Sequence, residues 1–67
     1  MSASSIKQNY DHVMALPQEP RSLSQINAYT DQSLMNLTYE AMSEADYKQS
    51  VEFVVQMMNR YRAIKAK

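Results

Sequence analysis

The sequence predicts a small all-α protein: a short N-terminal helix, then two longer helices paired as an antiparallel hairpin. Three observations carry this reading. Glycine is absent, and the tight turns of a β-rich chain depend on it. The only prolines, Pro17 and Pro20, sit in one short stretch, so they punctuate the chain once. Elsewhere apolar residues recur at steps of three and four, the spacing of one helix face.

The first helix is expected over residues 4–16. Ser4 or Ser5 can cap it, and Ser5 with Gln8 has the spacing of a capping box. Ile6, Tyr10, Val13 and Met14 share a face. Pro17 ends the helix and pushes Leu16 out of the α region. Residues 17–21, PQEPR, form a linker that its prolines should hold extended and fairly stiff.

The second helix is expected over 22–42. Ser22 and Gln25 again have capping-box spacing. Ile26, Thr30, Leu34, Leu37 and Ala41 make one stripe, flanked by Leu23, Ser33 and Met42. Asn27, Thr30, Asn36 and Thr38 are mediocre helix formers, so this helix must draw its stability from packing. Two arrangements follow for its end: a tight corner at Ser43, or a continuous or kinked helix through 40–46.

The third helix, expected over 44–64, has the strongest signal. Tyr47, Val51, Val54, Met58 and Tyr61 follow at steps of four, three, four and three. Phe53, Met57 and Ile64 add a second line, so the apolar face is wide. Ser43 and Asp46 form an acidic capping box, with Met42 and Tyr47 placed as a hydrophobic staple. Acids (Glu44, Asp46) open the helix and bases (Arg60, Arg62, Lys65, Lys67) close it, which suits its dipole.

With 67 residues the chain is expected to form a single helical domain, 1–67. A chain this short buries only about 60% of the surface its unfolded form exposes. The core then supplies about 3–5 kcal/mol, and small proteins usually add a disulfide, a metal or a partner. There is no cysteine, which removes disulfides and thiolate metal sites and fits a reducing compartment such as the cytoplasm. The N-terminus shows no apolar run of the secretory type, no stretch reaches membrane-spanning length, and no membrane association is expected. A partner is the remaining device.

No enzyme, cofactor or metal is expected. His12 is the single histidine, and nothing in its neighbourhood supplies a second ligand or a fixed acid–base pair, so it reads as a partly exposed helix residue. Glu40, Glu44 and Asp46 lie close in sequence, but capping and the helix dipole account for Glu44 and Asp46. Methionine and tyrosine are abundant, and both suit adaptable, half-buried contact surfaces.

These features point to a non-enzymatic interaction protein: a regulator, an inhibitor or an assembly subunit. Tyr47, Val51, Val54, Met57, Met58 and Tyr61 are the expected partner-binding residues, with a second copy or another protein as partner. The acid-to-base order of the third helix favours an antiparallel homodimer with its axis near Val54 and Val55. One alternative is a nucleic-acid-associated protein using Arg60, Arg62, Lys65 and Lys67 on phosphates, although the zero formal net charge argues against it. Another is a structural subunit of a larger assembly.

Overall fold

The structure, a computed structural model, describes residues 2–66, with side chains from Ser5 onward. It is all-α: α1 (Ser2–Ala15), α2 (Leu23–Tyr39) and α3 (Glu44–Lys65), with one 3-10 turn at Pro20–Ser22. No strand occurs among the described residues.

α1 begins earlier than its serines suggested. Ser4 and Ser5 lie inside the helix, and neither is its cap. No glycine or proline interrupts this segment, so the helix runs on in the N-terminal direction once Ile6 is anchored in the core. The helix stops at Ala15, and the Leu16 N–H closes a last turn on the Val13 carbonyl at 3.1 Å.

The linker is folded rather than extended. Pro20 opens the 3-10 turn, where a fixed φ and a missing N–H cost nothing. The Ser22 N–H donates to Glu19 O at 2.9 Å, and the Ser22 hydroxyl donates to Pro17 O at 2.7 Å. That hydroxyl therefore does not cap α2, and the expected Ser22–Gln25 box is absent. The reason is the backbone: Ser22 is already helical (φ −86°, ψ −11°), whereas a capping serine is extended.

α2 ends at Tyr39, short of the expected residue 42. Glu40 turns extended (φ −98°, ψ 137°), its N–H still bonded to Asn36 O at 2.9 Å. Helices α2 and α3 are thus separate, and the corner needs no residue of positive φ. At Ser43 the expected cap forms. The backbone is extended (φ −67°, ψ 161°) and the hydroxyl accepts the Asp46 N–H at 3.1 Å. Met42 leaves the helical stripe and packs on the core from the loop, where its sulfur accepts the Ser50 hydroxyl at 3.8 Å.

The helices run up, down, up. Tyr10 stacks on Phe53 (4.7 Å between centroids) and Arg60 reaches Met14, so α1 and α3 run parallel. Asn9 meets Ser33 and His12 meets Tyr29, so α2 runs antiparallel to α1. The short corner makes α2 antiparallel to α3 as well. The core is Ile6, Val13, Ile26, Val54, Met57 and Ile64, drawn from all three helices. Fully burying each such side chain contributes about 1.5–3 kcal/mol. Four small polar residues are buried with them: Ser22, Thr30, Ser33 and Ser50. Thr30 donates to Ile26 O at 2.7 Å and Ser33 to Tyr29 O at 2.9 Å. No buried side-chain donor or acceptor among the described residues is left without a partner.

Candidate interaction surface

α3 sets the geometry. Its buried residues are Ser50, Val54, Met57 and Ile64. At about 100° per residue this set lies about 65° around the helix from the expected stripe of Tyr47, Val51, Val54, Met58 and Tyr61. The cause is α1. A hairpin of α2 and α3 alone would bury one stripe, but α1 packs against α3 as well, through Tyr10–Phe53 and Met14–Arg60. The core therefore centres on the second apolar line, and part of the first is left outside.

The six residues expected to bind a partner are split by this rotation. Val54 and Met57 are taken into the core and present no surface. Val51 and Tyr61 are half-buried. Tyr47 and Met58 remain exposed, at 48% and 38%. Two residues outside that expected set join them: Val55, 47% exposed, and Leu34, 42% exposed and expected in the core stripe of α2. Val55 continues the step-of-four row from Tyr47 and Val51, so its place was readable from the spacing. Leu34 is displaced by its neighbour Ser33, which occupies the core position against α1.

Of these side chains, Leu34, Met58 and Tyr61 border a hollow between α2 and α3. It has a volume of about 210 Å³ and is lined by Asn27, Thr30, Asp31 and Leu34 on one helix and Met58, Tyr61 and Arg62 on the other. Its lining mixes the apolar Leu34 and Met58 with an acid, Asp31, and a base, Arg62. These two are not ion-paired: the salt bridges among the described residues are Lys7–Asp11, Arg21–Glu19 and Lys48–Glu44.

The basic end does not assemble into one patch. Arg60 is half-buried and donates to the Met14 sulfur at 3.2 Å. Arg62 projects about 160° away from it around the helix, onto the hollow. Lys65 lies over the Tyr61 ring, 5.8 Å from its centroid. Lys67 lies outside the described residues. His12 is exposed and stacks on Tyr29 at 4.5 Å. Among the described residues no three metal-ligating side chains come together, and no helix is long and apolar enough to cross a membrane.

Comparison with known proteins yields no match, whether to a family model, a curated protein or a solved structure.

Proposed function

We propose that this protein is a small non-enzymatic interaction protein, a regulator, inhibitor or assembly subunit, that associates through its α2–α3 face. One observation carries the reading. Leu34, Val55, Met58 and Tyr47 stay substantially exposed, while Ser33 and Ser50 fill the interior. Leu34 and Met58 border the hollow, Val55 and Tyr47 lie outside it on α3, and exposed apolar side chains with charged neighbours support an association surface. The cysteine-free chain fits work in a reducing compartment such as the cytoplasm.

Nucleic acid as the partner draws less support, because Arg60, Arg62 and Lys65 are divided between different surroundings. A chain that read phosphates with them would show binding that falls steeply with salt.

The test compares capture by the native chain and by Met58→Glu, once circular dichroism has shown equal helix content. The native chain is expected to retain an associated protein, its own copy included, that the variant loses. If both retain the same set, the α2–α3 face is not the association surface.

A further inference from the structure

We infer that the occupant of the α2–α3 face is a second copy of this chain, docked with its α3 antiparallel to the first and its Tyr47 seated in the hollow. The inference rests on the association surface proposed above and names its partner.

The argument begins with spacing. Glu44, Lys48, Val51, Val55, Met58 and Arg62 follow one another at steps of four, three, four, three and four. All lie on α3, and all are exposed except Val51, which is half-buried. This is the seam of a helix that packs along another helix, and it is separate from the line that α3 turns into its own core.

The seam is complementary to itself in one direction only. Set antiparallel about a two-fold axis level with Phe53, Val51 faces Val55 of the other copy. Met58 faces the aliphatic stem of Lys48, which can lie along apolar surface with its ammonium in water. Glu44 faces Arg62. Each contact occurs twice by symmetry. A parallel pair would set Glu44 beside Glu44 and Arg62 beside Arg62, and like charges across a contact oppose it. The pairing costs Glu44 little at home, because its present bond to Lys48 is long, 3.7 Å, and solvent-exposed.

The hollow supplies the second observation. A two-fold axis perpendicular to the helices leaves both copies of α2 on the same side of the pair. Tyr47 projects from α3 toward the α2 side of the seam. In the antiparallel register it arrives at the level of residues 58–62 of the other copy, the stretch of α3 that lines the hollow through Met58, Tyr61 and Arg62. A space of about 210 Å³ suits one aromatic side chain. Asp31 on its rim offers a carboxylate to the phenol hydroxyl, which needs an acceptor once its ring is buried.

The experiment is light scattering and sedimentation on the purified native chain across the micromolar range, with three single variants and one double variant. The native chain is expected to be a dimer. Val55→Glu places two carboxylates beside the axis, and the dimer should weaken by about a hundredfold or more with helix content unchanged. Tyr47→Ala, a change at an exposed residue, should weaken it by about tenfold. Arg62→Glu should weaken it by about five- to tenfold, and adding Glu44→Arg should restore it, because the exchanged charges meet again only in the antiparallel pair. A native chain that stays monomeric overturns this inference but leaves the association surface standing if Met58→Glu still loses a captured protein. A dimer indifferent to Val55→Glu, or one that the double charge exchange fails to restore, overturns the proposed interface.

Discussion

Ser33 and Leu34 are neighbours in the chain and opposites in the fold. Ser33 is fully buried against α1, its oxygen taking the Asn9 amide at 3.0 Å while its hydroxyl donates to Tyr29 O. Leu34 stands 42% exposed on the other flank of α2, at the hollow shared with α3. The same inversion recurs on α3, where Ser50 is buried and Val55 is not. Hydropathy alone would reverse both assignments. Where three helices meet, small side chains fit between them with their hydroxyls bonded, Ser33 to its own helix and Ser50 to the Met42 sulfur. On the α2–α3 outer face only two helices meet, and larger apolar residues there stay exposed.

Four substitutions would break or sharpen this contrast, each read by chemical denaturation at a concentration where the chain is monomeric. The largest effect is expected inside. Met57 sits at the centre of the core with no exposed surface, and Met57→Ala should cost about 2–5 kcal/mol through lost contacts and the cavity left behind. A loss of only a few tenths would mean that α3 is rotated from the orientation described.

Ser33→Leu comes next. It raises hydrophobicity yet should destabilise by about 1–3 kcal/mol, since the seam against α1 has no room and Asn9 loses its acceptor. A more stable Ser33→Leu protein would show that α1 does not close this side.

Ser43→Ala should cost about 1 kcal/mol, the usual value of a helix cap, because the orphan Asp46 N–H loses its acceptor. This change belongs to neither flank, so it calibrates the others. Leu34→Gln closes the series. On the outer face it should shift stability by no more than about 0.5 kcal/mol, while weakening association. Equal losses from Leu34→Gln and Ser33→Leu would erase the distinction between the two sides.

Much of the fold was legible from residue spacing. All three helices, the break at the prolines and the Ser43 cap follow from local rules, because a cap or a breaker acts within a turn of itself. The errors lie where a local rule met a tertiary contact. The Ser22 hydroxyl had the spacing of a cap and was drawn to the Pro17 carbonyl by the fold of the linker. Met42 had the spacing of a stripe residue and was drawn from the loop onto the core. Of the candidate surface, Tyr47 and Met58 were named from periodicity and Val55 was readable from the same spacing, whereas Leu34 emerged from the packing of the helices.

The sequence by itself determined that this chain is helical, that it breaks at the prolines and which residues alternate along each face, while the break between α2 and α3 was settled by the structure. It also laid acids at the start of α3 and bases toward its end. Only the tertiary structure decided which of the two apolar lines on α3 would be buried. Both lines satisfy the helical period equally well, and a period carries no information about how many neighbours a helix will have. α1 supplied the second neighbour, turned Met57 inward and left Met58 outside.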